Sequence, residues 1–461
     1  MKILRILAKA LAGLVTVVVL LYLIAVVINW RDEPPSESAR KFARVIAERP
    51  AVSAADNAVA YAFGFSAPAN ENPVEVGARR MAWIESFTSE TSTDSDPLRD
   101  GVDFVKDGSP AVASLKDVCG WDTDRRACAV SFDVVANGLQ PTRVDLLALE
   151  RYEALLTRHA WRDVVPFDVR TPIPPYHRIL HAQRLYMLRL MQQAAAGDTD
   201  AVRRGLGADY AHWRAAMPAT TGLINQMIAV SALRNHFFYA QRILRGLPKD
   251  KVAAAIPEAW SRELSVQERS MLRVTAGELA FATLTLRDVG NRNTWVDGSD
   301  WPTQPTAFDR CVAWVSSPMF QLQATSNLYA DSLRNFSEAF AVPIDRYEQA
   351  AEFLRAHPRK VALSVYNFTG SVLYRSAGDS ATQYIEYAIR VANVEALRRA
   401  ALLTARLHSR GIAAGSEAAE LAASEFRDPF TGASFGWDVA RQSVTFAGPP
   451  GYPRYREEYF Y

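Results

Sequence analysis

His177 and His181, in the segment HRILH, stand one helical turn apart, the spacing at which two imidazoles on one helix share a zinc ion. The metalloprotease form of this motif puts Glu directly after the first His as general base. Arg178 occupies that place here and sets a cation beside the proposed metal. The pair therefore reads as a solvated or core-edge helix face, and neither a metal nor any other cofactor is expected. A second pattern, S-x-x-K, runs from Ser38 to Lys41, where a lysine can activate a serine nucleophile. It lies within about ten residues of an apolar run and has no S-D-N or K-T-G partner downstream, so a helix start accounts for it better. The sequence contains no G-x-S-x-G elbow, P-loop or dinucleotide-binding glycine pattern.

Acids and aromatic side chains that could stack on a sugar cluster in one place, VGNRNTWVDGSDWPTQPTAF, where Trp295, Asp297, Asp300 and Trp301 fall within seven residues. Carboxylates and stacked aromatics are what glycan recognition and glycoside hydrolysis require. Trp residues in a Gly/Pro-rich loop more commonly pin that loop to its own core, so catalysis is not expected from this quartet, and ligand binding is its functional reading. Cys119 and Cys128 enclose a polar decapeptide and are expected to form a disulfide in an oxidising compartment. Closing a loop of that size stabilises the fold by roughly 2–3 kcal/mol. A metal on this pair would need two further ligands, and no His lies nearby. Cys311 is left over and reads as a small buried apolar residue. The tail carries Tyr455, Tyr459, Phe460 and Tyr461, which either dock on their own domain or anchor a partner protein.

Positioning these residues requires a framework, and the apolar residues show that it is uneven. Of 461 residues 49% are hydrophobic and 22% charged, the balance of a folded chain. Residues 11–30, LAGLVTVVVLLYLIAVVINW, carry no charge and would span about 30 Å as a helix, the thickness of a bilayer's hydrocarbon core. Lys2, Arg5 and Lys9 precede the run, so positive-inside bias keeps the amino terminus in the cytoplasm and exports the rest. A cleaved signal peptide would have a shorter apolar stretch and a small-residue cleavage site. The expected location is therefore a bacterial inner membrane, crossed once, with the lipid bilayer meeting residues 11–30 and the bulk of the chain periplasmic. A net charge of +2 excludes the strongly basic face that nucleic-acid binding requires.

The periodicity predicts a mainly α fold with minor β, in which a single N-terminal transmembrane helix is followed by a periplasmic helical bundle or array ending in a β-hairpin. Residues 1–10 form the cytoplasmic start, 11–30 the anchor, and 31–140 a membrane-proximal α+β region that begins with a Pro-containing spacer. Ala58–Phe65 alternates as a strand would but is short enough to be a helix instead, and Ala129–Ala136 is the better strand candidate. Residues 141–288 form a helical region, with Asp198 as an N-cap and a Ser265/Glu268 capping box opening its last helix. The Gly/Pro/Trp loop occupies 289–310. Residues 311–461 bring further helices, one of them closed by Gly411, and a hairpin around Phe435–Phe446 before the aromatic tail. These features imply a non-enzymatic, membrane-tethered scaffold or binding module for an envelope protein or a cell-wall glycan. The alternative is a periplasmic hydrolase whose site is assembled from distant residues.

Overall fold

The computed structural model describes residues 2–86, 101–119, 125–165, 167, 171–290, 306–377, 380–412, 415–448 and 457–460. Helix α1 (Lys2–Ile28) is long and apolar enough to cross a membrane, and its residues from Arg5 to Leu21 are exposed. Helix α2 (Glu37–Ala47) starts at Ser36, whose Oγ accepts from the Ala39 amide at 3.2 Å. Four shorter helices follow: α3 (Ala58–Phe63), α4 (Pro73–Ser86), α5 (Pro110–Val118) and α6 (Arg125–Gly138). Then come α7 (Arg143–Leu156), α8 (Tyr176–Ala195), α9 (Thr199–Ala219), α10 (Leu223–Arg245) and α11 (Lys249–Ala255). Helix α10 is enclosed by α8, α9 and α18 (Ile385–Arg410), and its buried residues include the polar Gln226, Arg234, His236 and Gln241.

Helices α12 (Leu272–Gly290), α13 (Ala307–Ser316), α14 (Leu322–Ala339), α15 (Tyr347–Ala356), α16 (Phe368–Ala377) and α17 (Ser380–Gln383) lead into α18, and α19 (Glu417–Ala423) closes the series. Gly411 takes the left-handed conformation, φ +59°, that ends α18. A second, smaller apolar cluster joins Phe42 of α2 to Ala276 and Leu279 of α12 and to Ala330 and Leu333 of α14. Antiparallel strands β1 (Gly436–Asp438), β2 (Ser443–Phe446) and β3 (Glu457–Phe460) form a small sheet in the order β1-β2-β3, with β2 and β3 against α18.

Both early strand candidates turn out to be helices. Ala58–Phe63 is buried on all sides, so its apolar residues carry no period, and the determining signal is Asn57, whose Oδ1 accepts from the Val59 amide at 3.1 Å. In α6 the buried residues are Cys128, Ala129, Phe132 and Ala136, at helical spacing, while the β-branched Val130 and Val134 face solvent. Among the described residues no strand precedes β1, and the region 31–140 is helical where α+β was expected. Close approach fixes α4 against α3: a methyl group on Gly77 would fall 1.6 Å from the Ala60 carbonyl oxygen.

Cys119 and Cys128 are bonded, joining the end of α5 to the first turn of α6. Cys311 is exposed, contrary to expectation, as are Ala307, Val312, Trp314 and Val315 on the same helix, α13. The Ser265/Glu268 reciprocal bonds exist, Glu268 Oε2 accepting from the Ser265 amide at 2.8 Å and Ser265 Oγ from the Glu268 amide at 3.2 Å. They close an isolated turn, and α12 begins seven residues after Ser265, at Leu272. The tail adds a third strand to the hairpin, with Tyr459 opposite Val444 and Phe460 opposite Ser443.

Candidate functional site

Helix α8 places His177 in solvent and His181 in the interior, so the two imidazoles do not converge on one open site. Burial, reinforced by Arg184, depresses the His181 imidazole to about 4, and its Nε2 has no hydrogen-bond partner. It is a neutral core histidine. Arg178, the residue that breaks the metalloprotease pattern, reaches Asp103 at 3.5 Å. No group of three or more metal-ligating side chains occurs among the described residues. Ser38 is buried and Lys41 pairs with Glu338 at 2.9 Å, so the S-x-x-K residues do not form a nucleophile–base pair. Trp295, Asp297, Asp300 and Trp301 lie outside the described residues, as do Tyr455 and Tyr461. Tyr459 and Phe460 are described only as backbone in β3.

The strongest polar constellation is sealed inside the helical core. Asp209 of α9 accepts from the Tyr152 hydroxyl of α7, from Gln183 Nε2 of α8 at 3.2 Å and from His236 Nδ1 of α10 at 2.8 Å. Trp260 Nε1 donates to His236 Nε2 at 3.1 Å. That nitrogen is therefore unprotonated, and the proton on the neutral ring sits on Nδ1, facing Asp209. Trp213 Nε1 donates to the Tyr152 oxygen at 2.8 Å, and burial followed by the Asp209 charge pushes the phenol well above its ordinary range. Beyond Trp260 the chain of contacts continues: its carbonyl accepts from Arg398, whose guanidinium is paired with Glu395 at 2.6 Å. Glu395 also accepts from Arg399 at 2.7 Å and from the Leu264 amide at 3.1 Å. Tyr152, Asp209 and His236 have no solvent exposure, so this arrangement holds helices in register and reaches no substrate.

An open feature lies between α7, α8 and α9, a shallow cleft of about 340 Å³. Glu153, Arg189, Arg204, Gln193 and Tyr186 supply its polar and aromatic lining. Arg189 pairs with Glu153 and lies over the Tyr186 ring, 5.0 Å from its centroid. Gln193 Oε1 is buried without a partner. The cleft offers both signs of charge and an amide, chemistry suited to a polar segment and lacking an activated nucleophile.

The other conspicuous site is the junction between α1 and the rest of the chain. Asn29, directly after α1, is 5% exposed. Its Nδ2 donates to Val365 O at 2.9 Å, its Oδ1 accepts from the Asn367 amide at 2.7 Å, and its carbonyl accepts from Gln321 Nε2 at 2.6 Å. Asp32 then caps α14, accepting from the Gln323 and Ala324 amides at 2.6 and 2.9 Å. Asn327 accepts from the Ser36 amide at 2.8 Å and donates to Pro34 O at 3.0 Å. Asp32 to Pro35 were expected to be a spacer. They are instead docked along the start of α14, and α1 is fixed to the globular part. Asn29 was visible in the sequence as a polar residue ending an apolar run, but its partners lie some 300 residues away and leave no local signal. The Asp209 cluster was missed for the same reason.

No protein-family model, no curated protein and no solved structure matches this chain.

Proposed function

We propose that this chain is a single-pass protein of a bacterial inner membrane whose periplasmic helical domain is a non-enzymatic scaffold or binding module for an envelope partner. The observation that carries this reading is the fixed junction, in which Asn29, Asp32 and Asn327 bolt an apolar helix to a folded body. A rigid mount of this kind holds a surface at a set distance and orientation from the bilayer. The cationic start, Lys2, Arg5 and Lys9, supports a cytoplasmic amino terminus, and the Cys119–Cys128 bond suits an oxidising compartment. The mixed-charge cleft between α7 and α9 is the surface we assign to the partner.

The test is photo-crosslinking in the intact envelope, with a benzophenone side chain at Thr157 on the cleft rim, followed by mass spectrometry. A discrete stoichiometric adduct, lost when Arg189 and Arg204 are changed to Glu, is the expected result. An envelope in which this position yields no adduct, or reporter fusions after residue 35 active only in the cytoplasm, would sink the proposal.

A further inference from the structure

Large apolar side chains are exposed in several parts of the molecule, but around the end of α1 they form a group. Val312 (48% exposed), Trp314 (61%) and Val315 (37%) lie on α13. Leu363 (47%) and Val365 (50%) lie in the segment before α16, and Phe368 (41%) opens that helix. The hydrogen bonds of the junction bring these two segments together. Val365 O is bonded to Asn29, and Asn367, one residue before Phe368, donates to the same side chain. Helix α13 runs straight into the 3-10 turn Ser317–Met319, which packs on α1. Thr369 Oγ1 donates to Ser316 O at 3.1 Å and ties α16 to the end of α13.

The last turns of α1 fix the depth of this collar. Tyr22, Ala25 and Val26 share one helix face and are partly covered, whereas the residues from Arg5 to Leu21 are exposed all round. At 1.5 Å per residue, the stretch from Tyr22 to Asn29 is about 10 Å of helix. The globular part therefore reaches back along α1 by about the thickness of an interfacial layer, and the segments that carry its exposed apolar residues meet α1 there through the turn Ser317–Met319 and Val365. Trp is the side chain enriched there, since its ring is apolar and its N–H finds partners among headgroups.

We propose that this collar rests in the lipid headgroup region, so that the domain is seated on the bilayer and not suspended above it. The inference rests on α1 spanning a membrane. The occupant is lipid because the collar is continuous with the helix that lipid surrounds, and an amphipathic helix lying in the interface buries one apolar face by about 5–10 Å. Helix α13 would be that element.

Cys311 gives the test a native handle, because it is exposed on α13 beside Val312 and the other two cysteines are bonded to each other. The full chain is reconstituted in vesicles of phosphatidylethanolamine and phosphatidylglycerol and labelled at Cys311 with an environment-sensitive fluorophore. A comparison protein carries the label on α9, as Arg203→Cys with Cys311→Ser. Doxyl-labelled lipids should quench the Cys311 label at least threefold more strongly than the α9 label, and Trp314→Asp with Val315→Asp should bring the two together. Equal quenching in protein that resists carbonate extraction would overturn the seated domain and leave the anchor standing. Extraction by carbonate would remove both. A Cys311–Cys311 bismaleimide crosslink formed in good yield, with no lipid quenching, would mean that a second copy covers the collar and would also overturn the proposal.

Discussion

Asp209 accepts hydrogen bonds from side chains on three other helices, and the three donors have no solvent to turn to. Replacing it with Ala should cost about 3–5 kcal/mol, because Tyr152, Gln183 and His236 would be left unpaired in a dry interior. Tyr152→Phe removes one donor and leaves the carboxylate with two, so about 1–3 kcal/mol is expected. Urea unfolding of the full chain in micelles measures both, and a cost below 1 kcal/mol for Asp209→Ala would contradict the arrangement. Two other histidines make the interior acid-sensitive. Burial holds the imidazoles of both His181 and His212 at about 4, against 6.5 in an unfolded chain. Between these values the unfolded chain binds more protons than the native one, so stability rises with pH across the window and is complete above 6.5. As pH falls from 6.5 towards 4, each site should lose up to about 3 kcal/mol. The urea midpoint should fall between pH 7 and 4.5, and a His181→Gln, His212→Gln protein should show a shallower fall over the same range.

At the scale of elements, the α1 junction can be broken by a single change. Asn29→Ala removes the acceptor for the buried Asn367 amide and the donor to the partly buried Val365 O. Hydrogen exchange at the Asn367 amide should accelerate by at least tenfold, with amides of α10 unchanged, and equal rates would show that the latch is not made. The helices themselves were largely legible. Asp198 and Gly411 marked helix ends by side-chain and backbone chemistry that needs no tertiary context. Elements buried all round were not legible, since Ala58–Phe63 has neither a polar face nor a period. The Ser265/Glu268 pair shows a further limit: a capping box reports a turn, and Arg214, bound to Glu268 at 2.6 Å, holds this one in place without a helix after it. Of the candidate sites, the Cys119–Cys128 pair was readable from spacing alone. The cleft, the Asp209 cluster and the docked segment were not, because each unites helices far apart in sequence.

Across the whole molecule, 52 basic against 50 acidic residues give a body with no dominant field, so long-range steering contributes little to finding a partner and short-range complementarity must do so. Most of the basic residues are Arg, and many are used inside the fold. Arg151 of α7 donates to Phe65 O and Ala67 O at 2.7 Å, while Arg214 holds the half-buried Glu268 and Arg398 the buried Glu395. The fixed junction also bears on the order of events during synthesis. Asn29 leaves the ribosome 338 residues before Asn367. At roughly 5–20 residues per second, the anchor waits some tens of seconds for its socket. On the single-pass reading, α1 enters the bilayer first and a growing periplasmic chain hangs from it, with α7 to α10 able to pack on one another early while α2 waits for α12 and α14. The residues that seat the domain against its own anchor, between Gln321 and Asn367, arrive some 300 residues after it, so on this reading attachment to the membrane comes well before orientation towards it.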